Sequence, residues 1–505
     1  MQNTLKPDFR RIRHIHFIGI GGAGMSGIAE VLFRLGYQIS GSDLAVNKVT
    51  QHLTTLGLKV CIGHQAEQIA CADVIVISSA IRADNVELVA ARNQRIPVIP
   101  RAEMLAELMR YSYGIAIAGC HGKTTTTSLV ASILRRAGLD PTFIVGGILK
   151  NHEYNNQLGT SKYMVVEADE SDASFLHLLP MISVVTNIDQ DHMVTYNNDV
   201  RKLKQTYVDF LHNLPFYGLA VVCIDDPMMR EILHEISRPV VTYGFHAEAD
   251  YRATDIRQTG MQMHFNLHRP MTKDCPHKNA PAKKSSYAKP ATLAMQLNLA
   301  GEHNVHNALA AIAVADDLGV DITITQAVLQ EFNGVARRFD IRGRFAVHAG
   351  VVNAMAAKPV MLVDDYGHHP REIEVTLAAA RKSWPDHRII MLFQPHRYSR
   401  TRDLYDAFVT VLSQVDQLIL IDIYAAGEKP IPGINSQALA ASIRQRCNQD
   451  PIYIAGTDCA AKINALLDNL LQPGDILLTQ GAGDVNMLAS ELAAYLEHRQ
   501  NSHGS

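Results

Sequence analysis

The stretch from residue 115 to residue 127, IAIAGCHGKTTTT, constrains the fold of this chain more than any other. A short apolar run ends in a G-x-x-G-K-T pattern, which closes with Lys123 and Thr124 before a helical pattern begins at Ser128. Glycines let backbone N–H groups surround phosphate oxygens, a lysine adds positive charge, and a threonine hydroxyl is a ligand for Mg²⁺. The stretch therefore predicts a phosphate-binding loop for ATP, made by Gly119, Cys120, His121, Gly122, Lys123, Thr124 and Thr125.

One observation keeps an alternative open for this stretch. Ile117 stands where the longer form of the pattern has a glycine, so only the short form is present. A plain strand-to-helix turn with an exposed lysine would also fit the letters. The buried strand predicted before the loop and the helix predicted after it favour phosphate binding.

Length and composition limit what surrounds this loop. A chain of 505 residues is too long for one core, and at ~150 residues per domain it predicts about three domains. The formal net charge of −3 excludes a strongly basic surface for nucleic acid. No apolar stretch is long enough to insert into a membrane, and seven cysteines without regular spacing predict a reducing, cytoplasmic location.

The first unit opens with the pattern of a nucleotide-binding βα unit. A strand predicted over 14–18 leads into GIGGAG at 19–24, which has the G-x-G-x-x-G spacing, and a helical pattern follows over 25–35. A second strand over 37–40 precedes Asp43, which stands about 20 residues beyond the glycines, where dinucleotide-binding folds place a ribose ligand. The spacing fits NAD, but the same chemistry serves any nucleoside diphosphate, and Asp43 is also explained as a cap. Alternating helical segments and short strands at 60–62, 74–78 and 98–99 predict a parallel sheet.

Polar runs follow two apolar strands in the second unit, which begins near residue 110. The strand over 163–166 leads into EADESD, with four carboxylates from Glu167 onward, and the strand over 182–186 leads into NIDQDH, which ends at His192. Like charges so close repel one another unless a cation is present. Strand ends converge on one edge of an open α/β sheet, so Glu167 and His192 are predicted to join Thr124 around Mg²⁺. Each acid taken alone is explained by a solvated loop.

Two features stand out further along this unit. The segment 268–292 is rich in proline, lysine and serine and is predicted to be an exposed loop between strands. Its Cys275 and His277 are too few for zinc, which takes about four ligands. Asn304 lies at the start of an alanine-rich helix predicted to run through Leu318. Its amide is either a helix N-cap or a hydrogen-bonding partner for the edge of a purine.

In the third unit, after residue 335, every predicted strand ends in a polar or glycine-rich tip. The strands at 360–363, 389–393, 417–423 and 475–479 lead into DDYGHHP, QPHRYSRTR, YAAGE and QGAGD. Four such tips in succession indicate a ligand-binding edge of a parallel sheet. His368 is also explained as a turn residue, and Arg397 and Arg400 as ion-pair partners, but two guanidiniums beside phosphate chemistry favour charge stabilisation.

The order of these motifs resembles that of the Mur ligases across nearly the whole chain. The motifs are GIGGAGMSGIAEVL, SSAI, AGCHGKTTTT, EADESDASFL, TNIDQDHM, GEHNVHNALAA, ARRFDIRG, DDYGHHPREI, FQPHRYSRT and QGAGDV. The glycine-rich opening with its MSG continuation and the DDYGHHP tip discriminate most, since related ligases and folylpolyglutamate synthetases share the phosphate loop. The predicted fold is α/β with three domains: a Rossmann-like UDP-sugar domain at 1–110, a central P-loop ATPase-type domain at 111–335 and a Rossmann-like amino-acid domain at 336–505.

The resemblance implies an activity. It is the ATP- and Mg²⁺-dependent ligation of L-alanine to the lactyl carboxylate of UDP-N-acetylmuramate through an acyl phosphate, a cytoplasmic step of peptidoglycan precursor synthesis by a monomer or weak dimer. It also implies site residues. Lys123, Glu167, His192, His368 and Arg397 would be catalytic; Asn304 would contact adenine, and Arg337 and Asp365 would help close the ATP site. The UDP-sugar residues would be Gly21, Gly22, Ala23, Gly24, Asp43, His64 and Ser79, and the alanine residues Tyr366, His368, Arg397 and Arg400.

Two departures limit the resemblance, and three rival interpretations stay open. Val194 stands where this family has an aspartate, and the segment around residue 280 is longer than expected. An NAD-dependent dehydrogenase would explain the first glycine motif but leave the phosphate loop unused. A P-loop ATPase with a nucleotide-sensing domain would explain both loops but not the tips of the third unit. A ligase of the same class that attaches a peptide or another amino acid would explain all of them.

Overall fold

The computed structural model describes residues 9–78, 80–146, 156–270, 291–346, 358–447, 449–456 and 458–502. Their strands form three sheets of five, ten and six strands. Contacts divide the chain into two compact units, one of Met1–Arg257, His264–Asn298 and His303–Asn333, the other of Gln258–Met263, Leu299–Glu302 and Gly334–Ser505. Within the described ranges, no helix combines the length and hydropathy that a membrane span requires. The domain boundaries at residues 110 and 335 stay a prediction.

The first sheet is wholly parallel, as the alternation of strands and helices predicts, with the strand order β3-β2-β1-β4-β5. Its strands are β1 His14–Ile18, β2 Gln38–Asp43, β3 Lys59–Ile62, β4 Val74–Ile77 and β5 Val98–Pro100, and its helices are α1 Ala23–Arg34, α2 Lys48–Thr55, α3 Val86–Asn93 and α4 Arg101–Met109. The prediction that the second strand ends before Gly41 is wrong. Residues Ser40 to Asp43 pair with Lys59 to Ile62 of β3, so hydrogen bonding to a neighbour continues the strand through residues of low strand propensity.

The second sheet belongs to the same compact unit and has the order β15-β14-β13-β12-β11-β10-β6-β9-β7-β8. Its strands are β6 Tyr113–Ala118, β7 Thr142–Ile144, β8 Asn156–Gln157, β9 Tyr163–Glu167, β10 Ile182–Val185, β11 Leu219–Cys223, β12 Val240–Gly244, β13 Tyr251–Thr259, β14 Gln262–Arg269 and β15 Ala291–Leu297. Its helices are α5 Lys123–Arg136, α6 Val200–His212, α7 Pro227–Ile232, α8 Glu302–Asp317 and α9 Ile322–Glu331. The exposed loop predicted over 268–292 is wrong at both ends, because β14 continues through Arg269 and β15 begins at Ala291, whereas residues 271–290 lie outside the described residues.

Two predicted helix starts in this region are wrong. Helix α5 begins at Lys123 and not at Ser128, because the left-handed Gly122 (φ 86°) turns the chain into it. The four β-branched threonines at its start have low helix propensity, but all four are buried, so tertiary packing overrides that preference. Helix α8 begins at Glu302, which makes Asn304 its third residue and rules out the N-cap interpretation.

The third sheet lies in the other compact unit, with the order β16-β17-β21-β18-β19-β20. Its strands are β16 Asp340–Phe345, β17 Val360–Asp365, β18 Ile389–Phe393, β19 Gln417–Ile421, β20 Ile452–Ile454 and β21 Ile476–Gln480, and its helices are α10 Pro370–Ser383, α11 Tyr398–Asp403, α12 Tyr405–Leu412, α13 Ser436–Arg446, α14 Cys459–Leu470 and α15 Val485–Ser502. The pairs are parallel except that β16 runs antiparallel to β17. All four predicted strands are present, and all of their tips follow the carboxyl ends of parallel strands.

The central strands of this sheet are covered on both faces. Met391 and Phe393 of β18 belong to one apolar cluster, whereas Ile390 and Leu392 belong to another on the opposite face. A parallel strand buried on both sides reads as a continuous apolar run, and this is why IIMLF was identifiable from the sequence. With both faces packed, the carboxyl edge is left for polar tips.

Candidate functional site

The predicted phosphate loop lies between two polar loops. Strand β6 is flanked by β9 and β10, with Ile117 opposite Glu167 and Ala118 opposite Val185. All three strands are parallel, so the loops that leave their carboxyl ends lie side by side. The sequence of each loop was visible beforehand, but this order of strands was not.

Two glycines of the loop occupy backbone conformations that other residues rarely adopt. Gly119 has φ 122° and Gly122 has φ 86°. A Cβ at Gly119 would collide with the hydroxyl oxygen of Thr186, and one at Gly122 would collide with the amide oxygen of Asn307. The loop is also tied to the end of β10, since Asn187 accepts from the N–H of His121 (3.0 Å) and donates to its carbonyl (2.8 Å). Both glycines are therefore required by shape, as a phosphate cradle demands.

Lys123 is held by an acid that the sequence did not single out. Its Nζ lies 2.9 and 2.8 Å from the two carboxylate oxygens of Glu170 and 2.6 Å from the carbonyl oxygen of Gly119. Burial alone would lower the pKa of Lys123, but the Glu170 carboxylate outweighs burial and raises that pKa above its ordinary value. The lysine is therefore a fixed positive charge at the start of α5.

The other carboxylates that follow β9 also have separate partners. Asp169 accepts from Arg101 (3.0 Å), and Asp172 accepts from the N–H of Ser174 (3.0 Å). The repulsion expected from four crowded acids is therefore relieved by Lys123 and Arg101 within the protein itself. A metal ion is not needed to explain the cluster.

The three residues predicted to hold Mg²⁺ follow or end the three adjacent strands: Thr124 is the second residue of α5, Glu167 is the last residue of β9, and His192 lies in the loop after β10. The Thr124 hydroxyl makes no hydrogen bond within the described residues, although Thr124 is only 7% exposed. One carboxylate oxygen of Glu167 accepts from the N–H of Gly146 (2.9 Å), and Nε2 of His192 lies 3.5 Å from the Asp191 carboxylate. A hydroxyl and a carboxylate suit Mg²⁺, which an imidazole suits less well. Thr124 and Glu167 therefore fit the ion best, and their role as ligands stays a prediction.

Asn304, predicted to contact adenine, is connected to the phosphate loop through Asn307. The Asn307 amide donates to the side-chain oxygen of Asn304 (3.1 Å), and its own oxygen accepts from the hydroxyl of Thr126 (3.2 Å). Both asparagines are buried. Helix α8 thus places Asn304 near α5, although 181 positions separate Thr126 from Asn307 in the sequence.

The predicted UDP-sugar residues meet at the carboxyl edge of the first sheet. Asp43 accepts from the N–H of Gly21 (2.7 Å), and the Gly63 N–H donates to the Asp43 carbonyl (2.8 Å), which brings His64 beside it. Gly22 is the N-cap of α1, which begins at Ala23 and continues through Gly24. The structure therefore brings the glycine turn, Asp43 and His64 together, whereas Ser79 lies outside the described residues.

The third unit gathers its predicted residues around Tyr366. The guanidiniums of Arg337 and Arg338 each lie 4.9 Å from the Tyr366 ring, and Arg337 donates to the carbonyl of Gly481 (2.6 Å). Asp365 is buried and accepts from the backbone N–H of Phe339 and of Gly367, both at 2.8 Å. Asp365 thus holds the backbone at Phe339 and at Gly367 in place.

Four rings from three tips pack in series, and two of them, His396 and Tyr424, were not among the predicted site residues. The Tyr366 and His368 rings are 5.5 Å apart, His368 and His396 are 5.4 Å apart, and His396 stacks on Tyr424 at 5.4 Å. His396 was not selected from the sequence, although its place in the QPHRYSRTR tip was the available signal. These rings form one wall of aromatic and imidazole groups.

The arginines after His396 differ in their surroundings. Arg397 has φ 72°, and its N–H donates to the Tyr424 carbonyl (2.8 Å). Its Nε is buried and has no hydrogen-bond partner among the described residues. Arg400 is 7% exposed and lies within 3.4 Å of Nδ1 of His396. An unpartnered buried guanidinium nitrogen in a strained backbone position fits a residue that binds an anionic ligand. Val194, which stands where the family has an aspartate, is 77% exposed.

A pH-dependent effect on stability follows from Asp364, which is 1% exposed at the end of β17. Burial raises the pKa of Asp364 from its ordinary 3.8 to about 6, in spite of the nearby Arg337 and Thr479, which lower it. The folded state holds this proton more tightly, so the group contributes stability below about pH 4 and loses it as pH rises through about 6. Between about pH 4 and about pH 6, the free energy of unfolding of Asp364→Asn should rise by up to about 3 kcal/mol relative to that of wild type, as measured by denaturant unfolding.

Asp386→Asn, at an exposed position of the same unit, is the matched control for Asp364→Asn. The difference in free energy of unfolding between Asp364→Asn and wild type must change between about pH 4 and about pH 6. A constant difference from about pH 4 to about pH 7 would contradict the assigned burial effect.

The site combines a glycine-rich loop after a buried strand, a fixed lysine at the end of that loop, and two acidic loops beside it. These features define the class of P-loop nucleotide-binding proteins. Three sequence models that match the chain in succession define it further: the Mur ligase family catalytic domain over residues 14–113, the Mur ligase middle domain over 117–315, and the Mur ligase glutamate ligase domain over 343–483. The chain belongs to the Mur ligase family, which makes it an ATP-dependent amide ligase with the three-domain architecture of that family.

Solved structures agree with this assignment. UDP-N-acetylmuramate-alanine ligase MurC from Thermotoga maritima is 26% identical, with a TM-score of 0.77 over 97% of this chain and 99% of that one. The UDP-N-acetylmuramate:L-alanyl-gamma-D-glutamyl-meso-diaminopimelate ligase from Neisseria meningitides is 28% identical, with a TM-score of 0.57 over 65% of this chain and all of that one. MurF ligase from Thermotoga maritima in complex with ADP shares the fold at 16% identity and a TM-score of 0.58.

Proposed function

We propose that this protein ligates L-alanine to UDP-N-acetylmuramate with ATP and Mg²⁺, in the synthesis of peptidoglycan precursors. The observation that carries the choice of substrate is the similarity to MurC from Thermotoga maritima, which extends over nearly the full length of both chains. A murein peptide ligase from Psychrobacter arcticus also covers 96% of this chain, but with a lower TM-score, 0.70 against 0.77, and a lower identity, 22% against 26%. The phosphate loop would bind ATP, the edge of the first sheet would bind the UDP-sugar, and the residues around Tyr366 would bind the amino acid.

The first step is phosphoryl transfer from ATP to the lactyl carboxylate, which gives an acyl phosphate. Such a step depends on positioning and charge neutralisation more than on covalent work by the protein. Lys123, fixed by Glu170, is placed to neutralise the β- and γ-phosphates. Thr124 and Glu167 would hold Mg²⁺, which supplies charge neutralisation on the phosphate oxygens. Asn304 would bind the adenine edge.

In the second step the amine of alanine displaces phosphate from the acyl group. The amino acid brings a carboxylate that must be held while its amine is free to react. Arg397 is suited to that carboxylate, because a guanidinium binds carboxylates in a bidentate manner and its Nε has no hydrogen-bond partner in the described part of the chain. Tyr366, His368 and Arg400 would complete the amino-acid site around it.

A phosphate-release assay with a panel of acceptors tests the proposal. With ATP, Mg²⁺ and UDP-N-acetylmuramate, release should depend on an added acceptor and should be fastest with L-alanine. A peptide ligase is the second candidate, because the Neisseria enzyme is the more identical of the two ligases at 28%. Release with L-alanyl-γ-D-glutamyl-meso-diaminopimelate but not with L-alanine would establish that candidate instead. Release without any acceptor would indicate a simple ATPase.

A further inference from the structure

A buried group of hydrogen bonds lies under the predicted UDP-sugar site, on the α3 face of the first sheet. His16, Ser42 and Glu87 are each at most 1% exposed. The Ser42 hydroxyl donates to Oε2 of Glu87 (2.7 Å), and Nδ1 of His64 lies 2.9 Å from the same hydroxyl oxygen. The other carboxylate oxygen of Glu87 accepts from the N–H of Gln65 (3.3 Å). Ser42 therefore connects a buried acid to His64.

The single proton of the Ser42 hydroxyl decides the tautomer of His64. Because that proton is donated to Glu87, the Ser42 oxygen can only accept from His64, and His64 must carry its proton on Nδ1. Nε2 of His64 has no hydrogen bond within the described residues, and in a neutral imidazole it is then an acceptor. The His64 side chain is 12% exposed, which leaves a route for a ligand.

A second set of hydrogen bonds reaches Glu87 from the two histidines of β1. Nδ1 of His14 lies 2.8 Å from the Cys71 carbonyl, and its Nε2 lies 2.8 Å from the Ser40 hydroxyl. That hydroxyl lies 2.7 Å from Nδ1 of His16, whose Nε2 lies 3.3 Å from Glu87. These are four hydrogen bonds, whereas two neutral imidazoles and one hydroxyl supply only three protons. The hydrogen-bonded series from His14 through Ser40 and His16 to Glu87 therefore holds one additional proton.

That proton lies on a histidine or on Glu87. Burial opposes ionisation of Glu87, but hydrogen bonds from His16 and Ser42 outweigh it and lower the pKa of Glu87. Glu87 is therefore ionised, as a carboxylate. As a carboxylate, Glu87 only accepts hydrogen bonds, which fixes the direction of the Ser42 hydroxyl.

We propose that Glu87 is a positioning residue for sugar-nucleotide binding: it accepts the hydrogen bond of the Ser42 hydroxyl, holds His64 as the Nδ1–H tautomer, and leaves Nε2 to accept from an N–H group of the base. The imide N–H of a uracil ring is such a group. This inference rests on the proposed function, since UDP-sugar binding beside Asp43 is part of it.

Glu87→Gln tests the inference with a change of one atom. In this variant the amide oxygen can keep the Gln65 N–H, and the amide nitrogen then donates to Ser42. Ser42 must donate to His64, which moves the His64 proton from Nδ1 to Nε2. Ring ¹⁵N chemical shifts of His64, assigned with a His64→Gln variant, should show the Nδ1–H tautomer in wild type and the Nε2–H tautomer in Glu87→Gln. UDP binding measured by calorimetry should weaken by about tenfold or more.

Glu30→Gln is the matched control, because Glu30 is also a buried carboxylate (2% exposed) with a histidine partner, His52 at 3.4 Å. It should change the affinity for UDP by less than about twofold, whatever its cost in stability. Ser42→Ala is a second route: it removes the connection and should weaken UDP binding as Glu87→Gln does, even if Glu87→Gln does not fold.

The outcomes separate this inference from the proposed function. An Nε2–H tautomer in wild type, or folded Glu87→Gln and Ser42→Ala variants that bind UDP as wild type does, would overturn the role of Glu87. Wild-type protein that binds no UDP would refute the proposed function, while the ¹⁵N measurement on the free protein would still decide the tautomer.

Discussion

Replacing Lys123 with alanine should lower turnover by about a thousandfold and leave the affinity for UDP-N-acetylmuramate within about twofold of wild type. The lysine is the fixed charge of the phosphate loop, 2.8 Å from Glu170, whereas the predicted UDP-sugar residues lie at the edge of a different sheet. Phosphate release gives the first value and calorimetry the second. Loss of both together would show that the assignment of two separate sites is wrong.

Stability has to be controlled in this experiment, because Lys123→Ala leaves Glu170 buried (5% exposed) without its cation. Adding Glu170→Gln removes that uncompensated charge, so the double variant should recover stability but not turnover. Lys162→Ala is the matched lysine control, since Lys162 is exposed beside Tyr113 and Tyr163 at the opposite end of β9. Its turnover should match wild type.

The second large effect separates the two steps of the reaction. Without L-alanine, the enzyme with ATP, Mg²⁺ and UDP-N-acetylmuramate should form an acyl phosphate that hydroxylamine traps as a hydroxamate. Lys123→Ala and Glu167→Ala should abolish the trapped product, because both residues are proposed to act on phosphoryl transfer. Arg397→Ala should still give the hydroxamate, while its amide-forming step should fall by about a hundredfold, equivalent to ~3 kcal/mol.

Arg402→Ala is the matched control for Arg397→Ala, since Arg402 is exposed on the same segment and pairs with Asp403 (2.7 Å). It should form both hydroxamate and amide at wild-type rates. An Arg397→Ala variant with unchanged apparent affinity for L-alanine would remove the third unit as the amino-acid site. ATP-dependent activation of the carboxylate would then be the part of the proposal that survives.

Tertiary contacts could not be predicted from the sequence where a residue contacts a partner far along the chain. Glu170 was visible only as one of four crowded acids, and its pairing with Lys123 depends on β9 lying next to β6. The same holds for His396, whose ring contacts come from two other tips of its sheet. Strand order is set by how whole elements bury their apolar faces together, and no local pattern encodes it.

Sequence alone determined the features that depend on neighbouring residues. The apolar runs of parallel strands, the glycines that turn into a helix and the polar strand tips are local patterns. They were sufficient for most of the parallel strands and for the family, but not for β7, β8, β13, β14, β16 and β20. The tertiary structure alone decided where α5 begins, which acid holds Lys123, and that Ser42 connects Glu87 to His64, 45 and 22 positions away. A hydrogen bond needs its two atoms within about 3 Å, and only the packed arrangement of elements brings distant residues that close.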